Sequence, residues 1–272
     1  MTVENILKYL REKPIKLEDN LNPCIIDYFD SLENKKFYFR EVVRKIEVNV
    51  HHELHREPLF RARDFGLLEK SYYSKGNGAK ILENSKIKAE QHLIDSIYLR
   101  VSILSDLEKV DQFLKIHSEN KLCLVLLSGY RPQDLQAACK DGVENQDRDE
   151  NAKPASELFS CPKVYAPHTT GGAFDVEIWS LDHSKILPTK FSNREETRGS
   201  YFIETMNDLG PEDEEARKNR RLLHHLLASP LILGKNHFVA HPSEYWHFGR
   251  NERLSAFLCL GIKEHEVFYD VT

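Results

Sequence analysis

Two short stretches hold the residue types that could do chemistry together. One is Pro242-Ser243-Glu244-Tyr245-Trp246-His247-Phe248, and the other is Ala166-Pro167-His168-Thr169-Thr170-Gly171-Gly172-Ala173-Phe174-Asp175. They offer two histidines, an aspartate and a glutamate. That inventory suits a catalytic zinc site with three nitrogen or oxygen ligands, a fourth position for water, and a carboxylate to take the water's proton. His168, Asp175 and His247 are the candidate ligands, and Glu244 the candidate base. A hydrolytic site also needs a cation or donors for the oxyanion that forms at the attacked carbonyl. Arg131, in Ser128-Gly129-Tyr130-Arg131-Pro132, is the candidate for that task. Each signal is common when taken alone. H-x6-D, E-x-x-H and an upstream G-Y-R-P occurring in one order in one chain are far more specific.

A second histidine cluster is weaker. His51-His52-Glu53-Leu54-His55 has its glutamate one place too late for a helical H-E-x-x-H motif. It continues the alternation of Ile46, Val48 and Val50 and reads as a solvated strand.

Elements must bring the candidate residues together. Leu122-Cys123-Leu124-Val125-Leu126-Leu127 is a short continuous apolar run, expected to be a buried strand that delivers Ser128 to Pro132 at its end. Gly171-Gly172 predicts a turn, and Ala173 to Trp179 a strand. Its alternation places Ala173, Asp175, Glu177 and Trp179 on one face, with Phe174, Val176 and Ile178 on the other. Leu181 to Lys185 predicts a hairpin turn. Further strands are expected at Phe37-Tyr38-Phe39, at Phe238-Val239-Ala240 and around Trp246 to Phe248.

Ile103, Leu104, Leu107, Val110, Phe113 and Leu114 form one apolar stripe. The spacing predicts a helix from before Tyr98 to near His117. A second helix is expected over Gln133 to Lys140, followed by an exposed loop from Asp141 to Lys153. Gly210-Pro211-Glu212-Asp213-Glu214 reads as a helix start, with proline in the first turn and acids at the positive end of the dipole. Leu222, Leu223, Leu226 and Leu227 give that helix its apolar side, and Ser229-Pro230 stops it. Tyr72 to Gly78 reads as a turn-rich segment. Leu7, Leu10, Ile15 and Leu17 are too irregularly spaced to extend a helix beyond its first turns.

At 272 residues the chain can bury a sizeable core. A formal net charge of -5 gives no reason to expect nucleic acid as a partner. No apolar run approaches the ~20 residues needed to span a bilayer, and the charged N-terminus lacks the apolar core of a signal peptide. These features predict a cytoplasmic protein. The five cysteines are odd in number, widely spread and without a C-x-x-C pair, which argues against a disulfide framework and a cysteine-rich zinc site.

Ser128-Gly129-Tyr130-Arg131-Pro132, then His168-x-x-Gly171-x-Ala173-x-Asp175, then Glu244-x-Trp246-His247 resemble the D-alanyl-D-alanine dipeptidase family, zinc peptidases of the vancomycin-resistance type. The resemblance covers residues 55–272, and Glu57-Pro58-Leu59, Tyr98-Leu99-Arg100 and Glu215 to Leu222 agree with it. It implies one zinc ion per chain on His168, Asp175 and His247, with Glu244 as general base and acid and Arg131 stabilising the transition state. It implies a small peptide substrate, most simply D-Ala-D-Ala or a related D-amino-acid dipeptide, near Tyr130, Ala166, Ser192 and Trp246. The implied fold is α+β: a single compact domain with a central antiparallel sheet flanked by helices. Residues 1–54 would be an N-terminal extension packed on a catalytic domain of residues 55–272.

Three positions depart from the family pattern. Ala166 stands where the family has serine, Phe191-Ser192 stands where it has an aspartate after phenylalanine, and Tyr245-Trp246 replaces a tryptophan pair. The aspartate helps to hold the substrate's amino group, and Glu177, Glu195 or Glu196 could supply an acid instead. Two other readings share the same residues. One is a D,D-carboxypeptidase or amidase acting on longer cell-wall peptides, and the other a non-catalytic zinc-binding recognition domain.

Overall fold

The computed structural model describes residues 3–16, 45–93, 95–145, 166–191, 204, 206–207, 209–241, 244–258 and 267–270. The architecture is a compact α+β fold. In chain order the described elements begin with α1 (Val3–Glu12), β1 (Leu59–Arg61), β2 (Leu68–Glu69), α2 (Lys75–Leu82), β3 (Tyr98–Arg100), α3 (Val101–His117), β4 (Leu122–Ser128) and α4 (Gln133–Glu144). There follow β5 (Ala173–Ser180), β6 (Lys185–Ile186), α5 (Pro211–Leu227), α6 (Pro230–Leu233), β7 (Val239–Ala240), β8 (His247–Gly249) and α7 (Arg253–Leu258).

The main sheet has six strands in the order β2-β4-β5-β8-β7, with β6 hairpinned onto the far end of β5. Pairing is antiparallel except at one edge, where β2 runs parallel to β4. β1 and β3 form a separate antiparallel pair.

β5 is the central strand, and its alternation decides what each face of the sheet does. Phe174, Val176 and Ile178 enter the main core beside Leu124, Leu126 and Phe248. Helices close this face: α3 through Ile103, Leu104, Leu107, Val110 and Leu114, and α5 through Leu222, Leu223, Leu226 and Leu227. Burying each such side chain is worth about 1.5–3 kcal/mol. α1 contributes Leu7 and Leu10 to the same core. It is held to α5 by Arg11–Glu215 and Lys218–Glu12 ion pairs, the second at 2.9 Å. A smaller cluster of Leu82, Leu93, Leu135, Ala138 and Cys139 joins α2 to α4.

Several sequence expectations are corrected. Ile46 to Val50 and His51 to His55 form turns and irregular chain, not strand. This segment follows the side chains it packs on: the His52 ring stacks on Phe268 at 3.9 Å, and His55 Nδ1 lies 2.7 Å from the Phe268 carbonyl. Lys75 to Gly78 open helix α2 because the Ser74 hydroxyl accepts the Asn77 amide at 3.3 Å and caps it. The helix expected before Tyr98 starts at Val101, since Tyr98–Arg100 pairs with β1. The loop expected from Asp141 begins later, because α4 continues to Glu144. The remainder of that loop and the Phe37-Tyr38-Phe39 strand lie outside the described residues. Cys123 and Cys139 are free and buried. Among the described residues no helix is long and apolar enough to cross a membrane.

The core carries an acid-sensitive group in α5. Burial, then the neighbouring His225 and His237, push His224 down to about 3. It stays neutral in the fold, whereas in the unfolded chain it protonates below about pH 6.5. The unfolded state therefore binds more protons through this window, and stability falls as pH falls. The contribution lost between pH 6.5 and 5 is expected to be about 2 kcal/mol. Chemical denaturation of wild type and His224→Gln across this range measures it, and the variant should show the shallower slope.

Candidate metal centre

The site is a row of residues across three adjacent strands. Asp175 lies opposite His247 in the antiparallel β5–β8 pair and opposite Ser128 in the β4–β5 pair. Directly opposed residues project to the same face, so register alone puts Ser128, Asp175 and His247 side by side. Ser128 joins the row because β4 shifts register between Leu126 and Ser128. Such a bulge re-aims the side chain that follows it.

His168 arrives from a helical turn, Pro167–Thr170, that enters β5 through Gly171. Gly171 has φ 74°, a left-handed conformation that strains any residue with a Cβ, and a Cβ there would also push on Leu59 Cδ2. Arg100 fixes the turn from below: Nε donates to the Thr170 carbonyl at 2.9 Å, and its amide donates to the Gly171 carbonyl at 3.2 Å. His168 Nδ1 is hydrogen-bonded to the Gly129 carbonyl at 2.8 Å, which turns Nε2 toward Asp175.

Glu244 and His247 are the ends of one tight turn, closed by the His247 amide donating to the Glu244 carbonyl at 3.2 Å. This turn is the physical basis of the E-x-x-H spacing. Tyr245, inside it, points to Glu177, while Trp246 packs on the main core.

The three candidate ligand atoms form a tight triangle. His168 Nε2 is 3.2 Å from His247 Nδ1, and Asp175 Oδ1 is 3.4 Å from the first and 3.2 Å from the second. Ligand atoms about 2.0–2.1 Å from one tetrahedral ion lie about 3.3–3.4 Å apart. Asp175 Oδ1 is buried and accepts no hydrogen bond among the described residues. The group could therefore hold a metal ion. Two imidazoles and a carboxylate suit zinc and several other first-row divalent ions.

Arg131 has its own frame. Nε donates to Ser128 Oγ at 3.1 Å, one terminal nitrogen to Gln136 Oε1 at 3.0 Å, and the other to Asp175 Oδ2 at 3.1 Å. Its guanidinium stacks over the Tyr73 ring at 4.7 Å. It thereby orients Asp175, and these three bonds leave two of the five guanidinium N–H groups. Glu244 stands partly open at the edge, with Oε2 3.5 Å from His247 Nδ1.

The electrostatics follow from burial and neighbours. Burial lowers His168 to about 4, helped by the Arg131 charge, so its imidazole is neutral. Burial raises Asp175, but the two histidines outweigh it and hold the carboxyl well below its usual range. Burial also lowers His247, and Asp175 overrides it to give a net rise. Glu244 is raised, mainly by burial. One strand step further on, burial lifts Glu177 to about 7 against its hydrogen bonds from Tyr245 and Thr189.

The candidates named from sequence are thus distributed unevenly. His168, Asp175, His247, Glu244 and Arg131 come together. Tyr130 lines a cavity of about 260 Å³ with Arg131, Tyr73, Ile97, Tyr98 and Leu135. Ala166 is buried with its carbonyl accepting the Thr169 amide and hydroxyl, and Ser192 lies outside the described residues. Sequence reasoning missed Tyr73, Gln136 and His241, whose ring sits 5.1 Å from His247. None of the three belongs to a recognisable spacing. No protein-family model matches the chain, and no curated protein does either.

Loading the purified protein with divalent metal is expected to give one ion per chain, with Asp175→Ala abolishing tight binding. Arg131→Lys, which keeps charge but loses the fork that fixes Asp175, is expected to weaken binding by about 10–100-fold. Competition against a metal-sensitive dye measures both.

Proposed function

We propose that the protein is a zinc-dependent peptidase that hydrolyses a small dipeptide, D-Ala-D-Ala or a related D-amino-acid dipeptide. The reading is carried by one observation: the triangle of His168 Nε2, Asp175 Oδ1 and His247 Nδ1, with the Glu244 carboxylate 3.5 Å from one corner. A site that serves the fold alone has no use for a partly exposed carboxylate at its edge. The substrate class rests on the resemblance of the three motifs to the D-alanyl-D-alanine dipeptidase family.

His168, Asp175 and His247 would hold the ion. When bound, zinc acidifies water and polarises the carbonyl under attack. The residues of the chain do the rest. Glu244 accepts the proton of the attacking water and returns it to the departing amine, the two transfers that peptide cleavage requires. The remaining N–H groups of Arg131 supply fixed positive charge for the oxyanion. Because Arg131 is tied to Ser128, Gln136 and Asp175, this charge needs little reorganisation during the reaction.

A panel of D,D-, L,D- and L,L-dipeptides, with a pentapeptide stem as the longer alternative, tests the reading. Cleavage of free D,D-dipeptides is the expected result, and full metal content with no hydrolysis of any peptide would sink it. Glu244→Gln should retain metal and lose about 10²–10⁴ in kcat. Surviving activity in that variant would remove Glu244 as the base.

A further inference from the structure

The row of site residues does not stop at His247. Ser128 on β4 lies opposite Asp175 on β5, and Asp175 lies opposite His247 on β8. β7 pairs with β8 through Val239–Gly249 and Ala240–Phe248, and the chain keeps this register for one more step. There the His241 amide donates to the His247 carbonyl at 2.8 Å. Directly opposed residues project to the same face, so His241 is the neighbour of His247 on the side away from Asp175.

The three candidate ligands are not held alike. Asp175 Oδ2 accepts from Arg131 at 3.1 Å, and His168 Nδ1 is hydrogen-bonded to the Gly129 carbonyl at 2.8 Å. The second ring nitrogen of His247, Nε2, has no hydrogen bond among the described residues. Glu252 acts on this ring by charge, yet its oxygens accept the Leu254 and Ser255 amides at 2.7 and 2.6 Å. The torsion that turns an imidazole about its Cβ–Cγ bond has broad minima, so rotamer preference alone does not aim the ring. A half-turn would put a carbon where Nδ1 now stands, 3.2 Å from both Asp175 Oδ1 and His168 Nε2.

Two other rings pack against the His247 imidazole. His168 meets it edge-on, with centroids 4.8 Å apart and planes at 89°. His241 meets it from the β7 side, at 5.1 Å and 64°. Aromatic pairs favour such tilted contacts at centroid separations of about 4.5–7 Å. His168 is itself a candidate ligand, whereas His241 stands outside the triangle.

We infer that His241 is a positioning residue: its ring, packed edge-on against His247, holds that imidazole with Nδ1 turned into the metal triangle. This contact replaces the hydrogen bond that usually orients a ligating histidine through its other nitrogen. The role belongs to the shape of the ring and not to its nitrogens. The inference rests on the triangle holding a metal ion, as read above, and is independent of whether the protein cleaves a peptide.

Cobalt(II) loading of the metal-free wild type, His241→Phe and His241→Ala tests it, with affinity read by competition against a metal-sensitive dye and ligand geometry by visible absorption. His241→Phe keeps a flat ring without nitrogen and is expected to match the wild type in both. His241→Ala is expected to bind about 10–100-fold more weakly, with a changed cobalt spectrum and unchanged circular dichroism. If His241→Ala does not fold, His241→Gln, which also lacks a ring, takes its place with the same expectation. Wild-type affinity and spectrum in the variant without a ring would overturn the inference and leave the metal centre standing. A loss in His241→Phe as large as in His241→Ala would also overturn it, since an imidazole nitrogen would then be what matters. A wild type that takes up no cobalt would remove the centre and the inference together.

Discussion

The buried carboxylate of Asp175 is the constraint around which the molecule is built. A charge at this depth is tolerable only if each oxygen has a reason to be there. Oδ2 has the Arg131 fork, and Oδ1 has two imidazole nitrogens within 3.4 Å. Removing one partner from a buried pair of this kind costs about 3–5 kcal/mol, because the other charge is left stranded. Every segment that reaches Asp175 is therefore held in turn. Ser128 and Gln136 hold Arg131, Gly129 holds His168, and Arg100 holds the turn that carries His168. Arg100 leads on to a second buried network, in which Glu57 accepts the Tyr269 and Ser102 hydroxyls at 2.5 and 2.8 Å. Hydrogen bonds and short chain segments thus link Asp175 to Glu57, Ser102 and Tyr269.

The two faces of β5 divide the labour. One face is apolar and supplies cohesion, and the other collects charged groups that cohesion makes affordable. Phe174, Val176 and Ile178 fix the strand so firmly that Asp175 and Glu177 keep their spacing without help from the solvent. The register with β8 then decides which residue faces Asp175. A slip of one position would present Phe248 or Trp246 there and turn His247 into the core.

Much of this was legible in the sequence. The alternation of β5, the apolar run of β4 and the start of α5 follow from local rules, and the structure agrees with each. The five candidate residues could be picked out because metal chemistry restricts residue types severely, and the structure brings them together. The errors have a common cause. Ile46 to His55 alternates like a strand but is set by ring stacking on Phe268, a residue more than two hundred positions away. Tyr98 looks like the opening of a helix but finds a partner in Arg61. The parallel edge of the sheet, and the roles of Gln136 and Tyr73 around Arg131, depend on contacts between segments that no local pattern encodes.

The distance along the chain between His168 and His247 carries a temporal meaning. The two are 79 residues apart yet meet at 3.2 Å. At about 5–20 residues per second, roughly 4–16 s of synthesis separate them. During that interval a nascent chain holds His168 and Asp175 but cannot complete the centre. Assembly of this three-residue cluster thus belongs to the last stage of manufacture, and a polypeptide abandoned midway at the ribosome never brings its two histidines together.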